Sequence, residues 1–111
     1  MFNIYSFVEK TGVDSVLLLT ANGDLVRSEN VEFAENFAAM TGSIAIMCNE
    51  MLEDLNVNPV KQIIIKSDNH LIVGCALPEE LFVFVFTTEL SKLGLIMKIL
   101  ESSAIPLSVN F

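Results

Sequence analysis

The chain reads Leu-Phe-Val-Phe-Val-Phe from Leu81 to Phe86, six residues without a polar side chain. Because a β-strand sends alternate side chains to opposite faces, the three phenylalanines would face one side of a sheet and Leu81, Val83 and Val85 the other. Both sides must then be covered, as on a central strand with helices above and below the sheet. The same reading applies to Val16–Leu19, Ile63–Ile65 and Leu71–Leu77. These stretches predict a sheet that is buried on both faces.

The N-terminal half predicts a helix, a hairpin and a long helix. A short amphipathic helix over residues 2–10 ends at Thr11-Gly12, and strands over 13–20 and 25–28 flank an Asn22-Gly23 turn, a strong hairpin signal. Residues 31–55 form the longest helix candidate, with Asn30 as its predicted N-cap. At about 100° per residue its apolar side chains cover roughly half of the circumference, more than packing on one sheet requires. The extra width predicts a second packing partner for this helix.

The C-terminal half predicts three strands and a last helix. The strands span residues 60–66, 70–77 and 81–87, and their loops are too short for crossovers, so they form an antiparallel meander. Thr88 is the predicted cap of a helix over 89–102. A sheet covered on both faces then gives an α+β fold of three layers, an α/β/α sandwich. The long helix lies on one face and the two terminal helices lie on the other.

Composition narrows the classes of function. The 111 residues make one domain, and 52% of them are hydrophobic, which suggests that some apolar surface meets another subunit. A net charge of −8 argues against nucleic acid as a partner. No window approaches the roughly 18 apolar residues of a membrane span, and no basic stretch precedes an apolar one at the N-terminus, so we expect a cytoplasmic protein without direct membrane insertion. Cys48 and Cys75 have no metal or redox spacing and are interpreted as core residues.

The sequence offers no catalytic constellation. His70 is the only histidine and lies at a tight hairpin, where a solvated turn residue is the expectation. Ser28, Ser43 and Ser91 have no local histidine or lysine that would activate a nucleophile. No glycine-rich phosphate loop follows a strand, and no carboxylate spacing favours a metal. We therefore expect no enzyme activity, no cofactor and no metal.

Five segments follow one another in a recognisable order: Gly12–Leu19 leading to Asn22–Val26, the alanine-rich stretch Ala34–Met40, the strand Val60–Ile65 and the step Leu93-Gly94-Leu95. These segments and their order resemble the Roadblock family of dynein light chains and small-GTPase regulators, with a profilin-like architecture. The similarity covers about residues 2–103. It divides the chain into a Roadblock-like domain, 1–104, and an extended C-terminal tail, 105–111.

The resemblance implies a five-stranded antiparallel sheet and pairing of two chains through the strand after the long helix. An apolar strand such as Ile63-Ile64-Ile65 at a sheet edge would aggregate unless it were paired. The partner would be a second copy or a related Roadblock chain. The predicted dimer interface consists of Phe33, Met40, Met47, Lys61, Ile63, Ile64 and Ile65.

The resemblance also implies a scaffold that binds and regulates a small Ras-like GTPase. Arg27, the sole arginine, is interpreted as a surface residue rather than an arginine finger, so any stimulation of GTP hydrolysis would act by repositioning the GTPase's own residues. Predicted partner contacts on the outward side of the long helix are Glu35, Ile46, Glu50 and Glu53. The alternative is a dimeric adaptor subunit of a motor or membrane-trafficking complex with no effect on nucleotide. A ligand-sensing module is disfavoured because no set of polar pocket residues converges.

The tail alternates apolar residues (Ile105, Leu107, Val109 and Phe111) with Pro106, Ser108 and Asn110. This period of two predicts an extended segment with one apolar face. We expect it to dock on its own sheet beside the first hairpin or on a neighbouring subunit. The alternative is a frayed terminus.

Overall fold

The computed structural model describes residues 2–103, which form three α-helices, a 3₁₀ turn and a five-stranded sheet. The helices are α1 (Ile4–Thr11), α2 (Ala34–Asp54) and α3 (Leu93–Ser103), and the 3₁₀ turn spans Leu90–Lys92. The strands are β1 (Ser15–Thr20), β2 (Leu25–Glu29), β3 (Gln62–Lys66), β4 (Leu71–Leu77) and β5 (Leu81–Thr87). The strand order is β2-β1-β5-β4-β3 and every pair is antiparallel. The predicted α+β fold is confirmed, and β3 lies at an edge of the sheet.

Two apolar cores lie on opposite faces of the sheet, as the alternation in β5 predicts. Val83 and Val85 belong to a core closed by α1 and α3, whereas Phe82 and Phe84 belong to a core closed by α2. The buried residues of α1 and α3 are Ile4, Phe7, Ile96 and Leu100. The long helix therefore covers one face, and the two terminal helices cover the other.

The residues predicted to cap the N-termini of α2 and α3 do not do so. Helix α2 begins at Ala34, four residues after Asn30, and its N-cap is Phe33, which makes no side-chain capping hydrogen bond. Asn30 instead turns the chain after β2 in a left-handed conformation (φ 56°), and its carbonyl accepts a hydrogen bond from Ser15 Oγ at 2.8 Å. Asparagine tolerates this conformation, so the residue that resembles a cap is a turn residue.

Thr88 does not cap the last helix either. Its backbone N–H and its hydroxyl both donate to Asp14 Oδ2, at 2.8 and 3.2 Å, which joins the end of β5 to the start of β1. The 3₁₀ turn then intervenes, and α3 begins only at Leu93. The threonine pairs with a distant carboxylate, which no local pattern reveals.

Helix α2 lies over the β1–β2 side of the sheet. Its closest approach is at the hairpin turn, where a Cβ placed on Gly23 would lie 3.4 Å from Gly42 Cα and 4.0 Å from Ile46 Cδ1. Thr41, Gly42 and Ser43 have low helix propensity but lie within an uninterrupted helix, where Gly42 allows the backbone contact. The other half of this face, over β4 and β3, is left partly open.

The predicted tail, residues 105–111, and the domain boundary at residue 104 lie outside the described residues, so these two expectations stay predictions.

Candidate interaction site

Helix α2 carries a row of exposed apolar side chains, which we call the α2 stripe. Phe33 is 69% exposed and Met47 is 60% exposed, and both belong to a set of large apolar residues that the folded chain leaves exposed. At about 100° per residue, these positions share one side of the helix. The α2 stripe consists of Phe33, Phe37, Met40, Met47, Met51 and Leu55. An exposed apolar row of this length is typical of a protein–protein interface.

The stripe extends from the outward side of α2 to one of its flanks. Ala38 and Ala45 mark the buried side of α2, and the Gly42–Ile46 flank lies against the β1–β2 turn. At about 100° per residue, Met40 and Met47 lie on the side of the helix opposite Ala38, away from the sheet. Phe37 lies on the flank opposite Gly42 and Ile46, and its ring centroid is 5.9 Å from that of Phe86 on β5.

The open half of the sheet is itself apolar, and we call it the β3 shelf. Register pairs Ile63 with Gly74 and Ile65 with Ile72, which places both β3 isoleucines on the α2 face. Ile63 is half-buried and Ile65 is exposed. A Cβ on Gly74 would come within 2.8 Å of Phe84 Cε2 and 3.0 Å of Phe82 Cε1, so the aromatic rings fill the space over this glycine. Stripe and shelf thus lie on the same face of the sheet, and both leave apolar side chains exposed.

The structure brings most of the predicted dimer residues to this face. Phe33, Met40 and Met47 lie in the α2 stripe, Ile63 and Ile65 lie in the β3 shelf, and Lys61 is exposed just before β3. Ile64 pairs with Val73 and faces the α3 side, so it would join an interface only through the strand edge. Pairing of two chains through these residues stays a prediction.

Met51, Leu55 and Val57 are exposed apolar residues that the predicted interface omitted. The omission had a signal in the sequence. Met51 and Leu55 follow Met47 at intervals of four, the spacing that keeps residues on one side of a helix.

Phe33 has a strained backbone as well as an exposed ring. Its φ of 56° and ψ of 47° place a bulky residue in the left-handed region, which costs of order 1–3 kcal/mol. Its carbonyl accepts hydrogen bonds from Asn36 N and Phe37 N, which start α2. The conformation projects the aromatic ring from the beginning of the stripe.

The four predicted partner contacts are all exposed, and they share the flank of α2 that carries Ile46, away from the stripe. Residues 28–60 contain no lysine or arginine, so Glu35, Glu50 and Glu53 lie in an acidic region without opposing charge on the same segment. Ile46 is 39% exposed, but its side chain also reaches the Gly23 turn. It is therefore an apolar residue beside the acidic side of the helix that is partly anchored by its own fold.

Arg27 lies on β2, and its guanidinium carbon is 5.1 Å from the centroid of the Tyr5 ring. Both residues are exposed, and a cation–π contact at such a site contributes about 0.5–1 kcal/mol. The contact joins α1 to the outer strand of the sheet. It gives Arg27 a structural role within its own chain.

Few groups among the described residues have unusual chemistry. Burial, with a smaller contribution from the negative charge of Glu101, raises the pKa of the Cys75 thiol to about 11. His70 is exposed, and its Nδ1 lies 2.9 Å from Asn69 Oδ1 at the β3–β4 turn. Residues 2–103 contain no group of three or more His, Cys, Asp or Glu side chains arranged to hold a metal ion. Within the same range, no helix has the length and apolarity needed to cross a membrane.

Comparison with known proteins identifies the family. The model of the Roadblock/LC7 domain matches residues 4–87. This chain belongs to the Roadblock/LC7 family. No curated protein sequence matches it.

Solved structures share the fold at low identity. Myxococcus xanthus MglB is 14% identical with a TM-score of 0.73, over 88% of this chain and 85% of that one. An MglB structure described as having a tetrameric arrangement is 14% identical with a TM-score of 0.72, over 91% and 82%. A Roadblock/LC7 domain from Streptomyces avermitilis is 17% identical with a TM-score of 0.73, over 89% and 88%. At these identities the likeness shows the fold alone.

Proposed function

We propose that this chain is a non-enzymatic, cytoplasmic dimeric scaffold that binds a small Ras-like GTPase and regulates it. The observation that carries the proposal is the exposed apolar surface of the α2 stripe and the β3 shelf on one face of the sheet, together with the acidic side chains on another flank of the same helix. Membership of the Roadblock/LC7 family supports it, since the family resemblance implies both pairing and GTPase binding.

The apolar face supports the dimer. In a two-fold pair, each α2 stripe would lie against the other, and the free edges of the two β3 strands would hydrogen-bond into one sheet. A standard interface buries about 1,600 Å² in total, a size that one long helix and one edge strand per chain can supply. The partner would be a second copy or a related Roadblock chain, and the tetrameric arrangement described for MglB supports assembly of such chains.

The flank of α2 that carries Glu35, Ile46, Glu50 and Glu53 supports a second, different contact. Glu35, Glu50 and Glu53 would remain in solvent after the stripes pair, because they lie away from the stripe. Such a surface complements a basic patch on a partner, which increases the association rate and specificity more than the affinity. Ile46 would supply an apolar anchor within the acidic surroundings.

The proposed regulation does not include an arginine finger. An arginine finger must reach the γ-phosphate of the GTP bound to the GTPase. Arg27 instead contacts Tyr5 of its own chain. Any acceleration of GTP hydrolysis would then come from repositioning residues of the GTPase itself.

The proposal is tested with a purified Ras-like GTPase from the same genome, loaded with GDP or with a non-hydrolysable GTP analogue. Binding is measured by titration calorimetry for the unchanged protein, Ile46→Asp and Val26→Asp. Val26 is a matched control, because it is 43% exposed and lies on β2 rather than on α2. We expect Ile46→Asp to weaken binding about tenfold or more, with unchanged dimer mass, and Val26→Asp to bind as the unchanged protein does.

Single-turnover hydrolysis assays then separate regulation from simple adaptor function. If the chain stimulates hydrolysis, Arg27→Ala should retain the stimulation. Binding without any change in hydrolysis or nucleotide release would favour the adaptor. Failure of every Ras-like GTPase of that genome to bind would contradict the proposed function.

A further inference from the structure

A second uncovered region lies on the opposite face of the sheet, between α3 and β3. It is an open groove of about 380 Å³ at the end of the sheet where β3 begins and β4 ends. Gln62, Cys75 and Leu77 line it from the sheet, Pro78 closes its end, and Lys61 and Glu101 lie at its sides. Because Gln62 pairs with Cys75, which belongs to the core under α1 and α3, the groove lies on the α3 face. It is distinct from the α2 stripe and the β3 shelf.

The floor of the groove continues along β3. Ile64 lies two residues beyond Gln62, so the two side chains point to the same face. Ile64 is 46% exposed although its register partner Val73 is fully buried beneath α3. The uncovered strip thus contains apolar surface that the described residues leave in contact with solvent.

The C-terminal end of α3 lies beside this groove. Glu101 lines the groove, and α3 ends two residues later at Ser103. Residues 105–111 in an extended conformation would span roughly 20 Å at about 3.3 Å per residue. That length exceeds the length of β3, which has five residues. The first hairpin, β1–β2, lies at the other edge of the sheet, beyond β4 and β5.

The chemistry of residues 105–111 matches the groove. The segment has no charged side chain, so its burial would leave no ion without solvent. Ile105, Leu107 and Val109 would recur every 6.6 Å or so along one side, which is also the spacing of Gln62 and Ile64 along β3. Pro106 has no amide hydrogen that would need a partner.

We propose that residues 105–111 dock in an extended conformation in the groove between α3 and β3 of their own chain. The segment would cover Ile64 and the Cys75 end of β4, and complete the core on the α3 face. This assignment is independent of GTPase binding.

Disulfide trapping tests the placement in the full chain. In a background with Cys48→Ser and Cys75→Ala, Leu107→Cys is combined with Gln62→Cys in the groove. The matched control combines Leu107→Cys with Lys98→Cys, which lies on the exposed side of α3 and is equally within reach of an undocked tail. Docking raises the effective concentration of residue 107 near residue 62, so we expect that disulfide to form within one chain at least about tenfold faster than the control.

Equal rates for the two pairs would overturn the proposal, and so would a disulfide that forms between chains. Hydrogen exchange supplies a second measurement that does not depend on new cysteines. A chain ending at Ser103 should exchange faster than the full chain in peptides covering residues 61–64 and 74–78. Unchanged exchange there would also overturn the proposal.

Discussion

Gly42 and Gly23 touch backbone to backbone, and this contact positions the long helix on the hairpin. A Cβ on Gly42 would lie 2.8 Å from Gly23 Cα and 3.4 Å from its carbonyl oxygen. Gly23 also needs its own freedom, because its φ is 90°. The pair allows α2 to approach the sheet more closely than any side chain would permit. The apolar residues of the α2 stripe lie on the sides of the helix that do not face this contact.

Gly42→Ala should destabilise the fold by about 1–3 kcal/mol, because the added methyl meets backbone that cannot rotate away. Gly94→Ala is the matched control. A Cβ on Gly94 would have nothing within 4 Å, so this change should be neutral or stabilise α3 by up to about 1 kcal/mol. Urea unfolding at one protein concentration measures both free energies. Equal effects of the two substitutions would mean that the glycine contact does not position α2.

Met47→Asp should dissociate the proposed dimer, because it places a charge in the middle of the α2 stripe. We expect association to weaken by roughly 10- to 100-fold, the range for a central interface residue. Leu95→Asp on α3 is the control, since Leu95 is 44% exposed and lies away from the stripe. Analytical ultracentrifugation at micromolar concentration should show about twice the chain mass for Leu95→Asp. If the unchanged protein sediments with the mass of a single chain, the proposed dimer is contradicted.

Ile64→Lys tests the strand edge rather than the helix. A lysine in an edge strand opposes pairing with a second strand, so association should weaken about tenfold or more. Asn69→Lys, in the turn between β3 and β4, adds the same charge outside the strand and should have little effect. Sedimentation of the two variants is compared. If both substitutions weaken association equally, the added charge and not the strand edge is the cause.

The thiol of Cys75 should make stability depend on pH above neutrality. Its pKa rises from 9.0 to about 11 in the folded protein, mainly because the group is buried. The unfolded chain then loses this proton first as the pH rises, so the contribution to stability is present below pH 9 and is lost between about pH 9 and 11. Unfolding of the unchanged protein and of Cys75→Ala, measured from pH 8 to pH 10.5, should show a steeper fall for the unchanged protein. Parallel profiles would contradict the assigned shift.

The strands and the two-sided burial of the sheet could be predicted from the sequence, because alternation is a local property. Residues 81–87 were predicted as a strand with the bounds that the structure has. The large apolar width of α2 was also evident, because one sheet cannot cover Phe33, Met40 and Met47 together with the rest of the apolar side; all three are exposed. Helix starts were not predictable in the same way. Asn30 and Thr88 have the side chains of caps, yet the backbone carbonyl of Asn30 accepts from Ser15 and the hydroxyl of Thr88 donates to Asp14, partners that are distant in sequence.

The sequence by itself determined that this protein has a sheet buried on both faces and a long helix with more apolar surface than its own domain covers. Periodicity carries that information, because each residue's face follows from its neighbours in the chain. Only the tertiary structure decided which flank of α2 is free and that Ile64 faces away from Ile63 and Ile65 toward a separate groove. Those outcomes depend on the approach of Gly42 to Gly23 and on the register of β3 with β4. Such contacts join residues far apart in the chain, and no local pattern encodes them.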